Sequence, residues 1–403
     1  MIPDGWCNAR LGDLVEGSIR NGYSPNSADR KTGYWVLSLG SLTDAGINSK
    51  EIKPVEPEQK VLQSLLYEGD FLISRSNTPD KVGRSIRFTG EIQNCSYPDL
   101  MMRFRANEKV VSPRYLEAVL KSFHIRTFFK RSAAGSSRSM VKITKTTVEK
   151  TPILLPPIPE QKKIAQILST WDKAIETVEK LIENSQQKKK ALMQQLLIGK
   201  KRFPGFDVAW KEVRLGNIVE ITTGSSKTKY IDEKGERFIL DMGSVSRDGK
   251  LIPSKRTSYA DNHLFKGQLV MPKDDIGGGN IIGRVGYVDQ DDKYILGDHV
   301  YALSVNTVDP LFLSYLINGF TVNKSLRRKA NGTAQLGLGR KDVEKQVIVI
   351  PPSVKEQQQI TSVLSSADQE TETWQKELAH LKQEKKALMQ QLLTGKRRVK
   401  VNP

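Results

Sequence analysis

Cysteine, histidine and long apolar runs are all scarce in this chain of 403 residues. The two cysteines, Cys7 and Cys95, exclude a disulfide scaffold and a cysteine-rich zinc module, and they suit a reducing cytoplasm. His124, His263, His299 and His380 are scattered, which leaves little for a histidine metal site or a histidine-based hydrolase. No apolar run approaches the roughly 18 residues of a membrane span. Met1 to Trp6 lack the basic and apolar regions of a signal peptide. Catalytic motifs are missing too. Gly277-Gly278-Gly279 with Gly283 lacks the Gly-Lys-Ser/Thr ending of a phosphate loop and is out of register for a dinucleotide fingerprint. There is no Gly-x-Ser-x-Gly elbow, no Asn/Asp-Pro-Pro-aromatic tetrapeptide and no carboxylate cluster with a lysine. Recognition or assembly remains as the function class, with no catalytic residue, metal ligand or cofactor expected on this chain.

Positive charge is abundant. Lys and Arg number 63 against 45 Asp and Glu, a net +18, which points to a polyanionic partner such as nucleic acid. The excess is spread along the chain: +7 over residues 1–157, +5 over 158–203, +3 over 204–352 and +3 over 353–403. No segment is a basic tail, so the charge suits a body lying along double-stranded DNA better than a tethered arm.

The chain also repeats itself. KKALMQQLL occurs at 189–197 and again at 385–393. At the same offset Glu160-Gln161, Ile164, Leu168 and Asp172 recur as Glu356-Gln357, Ile360, Leu364 and Asp368, and Gly199 and Arg202 as Gly395 and Arg398. Upstream the likeness is looser: Trp6 and Gly12 correspond to Trp210 and Gly216, Gly69 to Gly267, and Gly83-Arg84 to Gly283-Arg284. A period near 200 residues is too long for a solenoid and describes a duplicated two-part unit. It divides the chain into globular domains at 1–157 and 204–352 and constant arms at 158–203 and 353–403.

Each constant arm opens on prolines and continues with apolar residues stepping by four and three. The first seam holds Ile164, Leu168, Trp171, Ile175, Val178, Ile182, Leu192 and Leu196; the second holds Ile360, Leu364, Trp374, Leu378, Leu381, Leu388 and Leu392. The step predicts a pair of long helices in a coiled coil. A parallel pair would require the intervening domain to carry the chain back by about 50 Å, more than a domain of that size spans. The helices are therefore expected to be antiparallel, with the two domains near opposite ends of one rod. Lys189 and Lys385 fall in the seam, where they are expected to snorkel or to meet acidic partners and so fix the register.

The globular domains read as mixed α/β or α+β. Strand-like runs lie at 34–39, 71–73, 238–240 and 347–350, and short helices near 113–123 and 310–318. Basic and polar residues gather in what read as loops at matching places in the two domains. In the first these are Arg75, Asn77, Lys81 and Arg84, then Arg131, Ser136, Ser137, Arg138, Lys142 and Lys145. In the second they are Lys273 and Arg284, then Arg327, Arg328, Lys329, Thr333, Arg340 and Lys341. Arginine can fork onto guanine edges and glycine lets a backbone approach closely, so these sets are the candidate DNA contacts. A coiled-coil scaffold that joins protein partners without reading sequence remains the alternative.

The alternation of two unlike domains with two near-identical helical arms resembles the specificity subunit of type I restriction–modification systems, over essentially the whole chain. The residues that carry the resemblance are Pro156 to Gln161, Pro351 to Gln357, the shared KKALMQQLL ends, and Gly69-Asp70-Phe71-Leu72-Ile73-Ser74-Arg75. In the second half Gln268 and Pro272 stand where that last motif has Asp70 and Ser74. The resemblance implies two target recognition domains, each reading half of a split, asymmetric DNA target. It implies a coiled coil that sets the spacer and binds two methyltransferase subunits, joined in turn by motor–nuclease subunits. S-adenosylmethionine, ATP and magnesium would then belong to those partners.

Overall fold

Prolines end a strand and begin a long helix at both ends of the repeat, because proline cannot donate within a ladder yet tolerates a first helical turn. In the computed structural model, which describes residues 2–44, 46–137, 140–333 and 335–401, the strand Pro152–Leu155 leads through Pro156-Pro157 into a helix Ile158–Leu196. The strand Val347–Ile350 leads likewise into a helix Val354–Leu392. Each helix has 39 residues, a length of about 58 Å at 1.5 Å per residue. Each ends short of a glycine in the left-handed region, Gly199 or Gly395, both at φ +68°.

The chain forms two units. The first comprises Met1–Val178 with Glu377–Pro403, and the second Glu179–Lys376. The first is built on an antiparallel sheet of four strands, in the order Val15–Asn21, Met101–Ala106, Phe71–Ser74 and Ser85–Arg87. The second repeats it with Val219–Thr223, Val300–Val305, Leu269–Pro272 and Gly286–Tyr287. Phe71–Ser74 and Leu269–Pro272 are buried at every position, as a strand covered on both faces must be. A smaller sheet in each pairs Trp35–Leu37 parallel to Cys95–Ser96, or Arg237–Leu240 parallel to Tyr294–Leu296.

Each core draws in one end of each long helix. In the first unit Ile164, Leu168, Leu392 and Leu393 pack with Phe71, Phe104, Leu116 and Phe129. In the second Ile360, Leu364, Leu196 and Leu197 pack with Leu269, Leu303, Phe312 and Leu326. The helices run antiparallel in both units. In the first, Glu160 meets Arg398 and Asp172 meets Lys385; in the second, Ser185 meets Thr371 and Lys189 meets Asp368. All fifteen apolar seam positions are buried or half-buried. The two seam lysines both pair with an aspartate, and those aspartates, Asp172 and Asp368, are copies of one another in the repeat. The ends of the seam are not purely a contact between two helices, because the globular cores share them.

The two short helices expected near 113–123 and 310–318 are present, and each is joined by a second that was not expected. Pro113–Lys121 is followed after a single residue by Phe123–Ser132, and Pro310–Asn318 by Phe320–Lys329. The junction residues Ser122 and Gly319 are extended, with ψ 151° in both, which breaks the helical path.

Candidate nucleic-acid interface

Two small ladders bring the candidate segments together. In the first unit Ser76–Asn77 pairs with Met140–Lys142, so the segment from Arg75 to Arg84 lies against the one that carries Lys142. In the second unit Asp274–Asp275 pairs with Leu336–Gly337, which joins the segment from Lys273 to Arg284 to the one that ends at Lys341. The looser upstream likeness of the two halves therefore marks one shared loop frame.

A glycine closes each loop. Gly83 and Gly283 have φ of +68° and +66°. A Cβ at Gly83 would come within 2.4 Å of Phe129, and one at Gly283 within 2.8 Å of Leu326. The helix Phe123–Ser132 or Phe320–Lys329 presses on the loop at that point, and only glycine fits both the angle and the space. Inside the second loop Asp275, itself buried, accepts from the backbone N–H of Gly277 at 2.5 Å and of Ile281 at 2.8 Å. Sequence reasoning missed this aspartate, which shapes the glycine run without offering itself to a ligand.

The strand before the loop is fixed differently in the two units. Asp70 accepts from Tyr67 N at 2.9 Å, from Arg105 Nε at 2.8 Å and from Arg103 Nη1 at 3.4 Å. Gln268 accepts from Phe265 N at 2.7 Å and donates to Ser304 Oγ at 2.8 Å. Sheet register places Ser304 where the first unit has Arg105. The departure at Gln268 is thus compensated across the strand: a charged pair gives way to a neutral one while the same turn is tied.

The candidate residues fall into three groups. Lys81, Arg131 and Lys142 in the first unit, and Arg327, Arg328, Thr333 and Lys341 in the second, are exposed. A second group is engaged within the protein. Arg84 donates to Leu42 O and pairs with Asp44 at 2.9 Å. Arg75 donates to Asp99 O, Asn77 to Ser74 Oγ, and Lys329 to Gln346 Oε1. Arg284 donates to Asn318 O, Arg340 pairs with Glu344, and Lys145 with Glu149. Lys273 is half-buried at the loop base, its backbone bonded to His299 O and Leu338 N. Last, Arg138 lies outside the described residues, and Ser136 and Ser137 are placed by their backbone alone, in the strand Ala134–Ser137. Several of these residues are not on loops as expected. Arg131, Arg327, Arg328 and Lys329 close helices, because the second helix of each pair had no proline to signal its start, and Lys145, Arg340 and Lys341 stand in short ones of five residues.

Where a long helix begins, a buried carboxylate ties an arginine and a tryptophan from other parts of its unit. Glu160 accepts from Arg398 Nε at 2.7 Å and Nη2 at 2.8 Å, and from Trp6 Nε1 at 3.0 Å. Glu356 accepts from Arg202 at 2.8 and 2.9 Å and from Trp210 Nε1 at 3.2 Å. The neighbouring glutamines bind backbone. Gln161 accepts from Ser112 N and donates to Pro156 O, and Gln357 accepts from Asp309 N and donates to Pro351 O. Burial alone would raise Glu160, but the bonds from Arg398 and Trp6 outweigh it and hold the carboxyl below its usual value. Among the described residues no group of three His, Cys, Asp or Glu is placed to hold a metal, and no helix is long and apolar enough to cross a membrane.

The profile of the type I restriction modification DNA specificity domain matches residues 3–184 and again 207–383. The chain belongs to that family. This specificity-family chain is 29% identical over 426 residues to the type I restriction enzyme MjaVIII specificity subunit of Methanocaldococcus jannaschii, covering 99% of this chain and 94% of the relative. Its fold is similar to the crystal structure of the type I S subunit from M. genitalium, with a TM-score of 0.63 at 14% identity, covering 97% and 96% of the two chains. It is also similar to a chain in a structure describing complex assembly of the type I restriction–modification system, with a TM-score of 0.60 at 19% identity, covering 98% and 100%.

Proposed function

We propose that each unit of this specificity-family chain reads one half of a bipartite DNA target, and that the chain itself performs no catalysis. The observation that carries this reading is the double match of the DNA specificity domain, once over each half. The loop frame supports it: the same ladder and the same glycine recur, while the side chains around them differ. Two unlike reading surfaces make the two half-sites unlike, so the target is asymmetric. The exposed cations Lys81, Arg131, Lys142, Arg327, Arg328 and Lys341 would make the first contacts with the duplex.

The helical seam sets the gap between half-sites in this reading, and it docks two methyltransferase subunits and, through them, motor–nuclease subunits. Apolar side chains left half-buried within the helical parts, Trp171 and Leu378 in the first unit and Ile182 and Trp374 in the second, support a docking role. S-adenosylmethionine, ATP and magnesium would act on those partners in the cytoplasm.

Exchange of residues 1–157 for the corresponding domain of another family member, followed by methylome mapping, tests the reading. One half-site is expected to change while the other half and the gap persist. Loss of both half-sites would overturn modular readout. Equal affinity for random and selected duplexes, compared at one salt concentration, would show a scaffold that does not read sequence.

A further inference from the structure

In the second unit a cleft of about 480 Å³ opens between the glycine loop and the helix Phe320–Lys329, lined by Gly279, Arg284, Phe320, Lys324, Arg327 and Arg328. Four cations thus face one cavity. Arg284 reaches it from the loop, with one guanidinium nitrogen bonded to Asn318 O at 2.6 Å and its Nε buried without a partner among the described residues. Lys324, Arg327 and Arg328 form no ion pair among the described residues. Lys324 lies 5.0 Å above the ring of Phe320, which is 73% exposed. Burial holds the Arg284 guanidinium below its usual pKa; Asp248 opposes this and Arg327 adds to it.

The same frame in the first unit is neutralised from within. Arg84, the copy of Arg284, pairs with Asp44 at 2.9 Å. Lys130, at the helix position of Arg327, pairs with Asp80 at 2.7 Å, and Arg126 donates to the Asp80 carbonyl, also at 2.7 Å. At these two positions the first unit therefore supplies its own anions, with Arg131, the counterpart of Arg328, left exposed; in the second unit Asp248 acts on Arg284, and none of the four cations forms an ion pair among the described residues. Like charges held together without a paired counter-ion repel, and an anion of matching size relieves that repulsion.

We propose that this cleft seats a backbone phosphate of the half-site that the second unit reads, and that the first unit has no equivalent seat. This rests on the proposed function above. Arg327 and Arg328 donate to the non-bridging oxygens from the helix, Arg284 and Lys324 supply field, and the exposed ring of Phe320 forms the apolar rim against the sugar.

The test uses the full chain in its native assembly, with R327Q/R328Q as the variant and folding checked by thermal melting. Each seated phosphate contributes a slope of about −0.9 in log K against log salt. The double variant is expected to flatten the slope by about one and to weaken target and random duplexes by the same factor, roughly tenfold at low salt. Duplexes carrying a single neutral methylphosphonate, moved along the second half-site, should bind the parent protein weakly at one position and lose that position-dependence with the variant. An unchanged salt slope would overturn the phosphate seat. So would weakening confined to the target duplex, which would mark base contacts instead. Saturable binding of inorganic phosphate to the parent protein, abolished in R327Q/R328Q and without effect of the variant on DNA, would overturn the DNA backbone as the source. If instead the parent protein does not distinguish its target from random duplex, the proposed function itself fails, whatever the variant does.

Discussion

At the strand that leads into the glycine-closed loop, the first unit buries Asp70 against Arg103 and Arg105, and the second sets the half-buried Gln268 against Ser304. Both side chains tie the same turn, to Tyr67 N or Phe265 N. The backbone is held constant while its chemistry is exchanged. Under the proposed function, two readers of different half-sites need that: a fixed frame, and a charge pattern free to diverge on it. The comparison breaks most sharply if Asp70 is removed. Asp70→Ala leaves Arg103, 17% exposed, without its buried counter-charge, and should cost about 3 kcal/mol in denaturant unfolding. Grafting the second unit's solution, D70Q with R105S, should recover part of that loss, whereas D70Q alone should not. If the graft is no better than D70Q alone, the two pairs are not equivalent solutions.

The anchors Glu160 and Glu356 show the opposite case, in which the two units share one chemistry. Glu356→Ala should cost about 2–3 kcal/mol, since it releases a bidentate arginine and an indole N–H. Glu160→Ala should cost less, because Arg398 is 44% exposed against 24% for Arg202. The pH dependence has a definite sign at Glu160. Its folded value lies below its unfolded one, so its contribution is complete above about pH 4.5 and disappears as pH falls through the folded value. Acid unfolding of E160Q should lack that component.

These anchors also explain why some of the fold was legible in the sequence. Trp6 and Trp210, Glu160 and Glu356, and Arg202 and Arg398 all repeat, and the repeat marks them because the tryptophan and the arginine must both meet the same glutamate. Their direct contact was not legible, since nothing in a repeat says which copies touch. The seam was legible because a four-three step has one geometric meaning. The loop frame was legible at its glycines, where φ near +67° leaves no other choice. The internal neutralisers Asp44 and Asp80 were not, because an acidic residue on a loop carries no pattern until the chain folds. The helices at Phe123 and Phe320 escaped for a similar reason: a single extended residue, Ser122 or Gly319, separates them from the helices before.

Gly83→Ala and Gly283→Ala sharpen the comparison of the loops. Both place a side chain at positive φ, and each should cost at least about 1 kcal/mol from that alone. The clash is more severe at Gly83, where three atoms of Phe129 lie within 2.6 Å, than at Gly283, where the nearest atom is Leu326 Cβ at 2.8 Å. G83A should therefore be the less stable variant in thermal melting, by about 1 kcal/mol. Equal losses would mean that the helix in the first unit shifts freely away from its loop.

The smallest expected effect distinguishes the two seam lysines. Lys189 pairs with Asp368 at 2.5 Å, the two side chains being 24% and 28% exposed, and Tyr315 donates to the same carboxylate at 2.6 Å. Lys385 pairs with Asp172, which is 59% exposed, and among the described residues no tyrosine joins them. Water therefore screens the second pair more than the first. Lys189→Met should cost about 1 kcal/mol, because it leaves a half-buried carboxylate with only a phenol to hold it, and Lys385→Met should cost a few tenths. Combining K189M with D368L removes both charges and should restore most of the loss, since the methylenes already pack in an apolar seam. If both single variants melt like the parent and the methylated target keeps its gap, the lysines do not set the register, and the apolar steps of the seam suffice to do so.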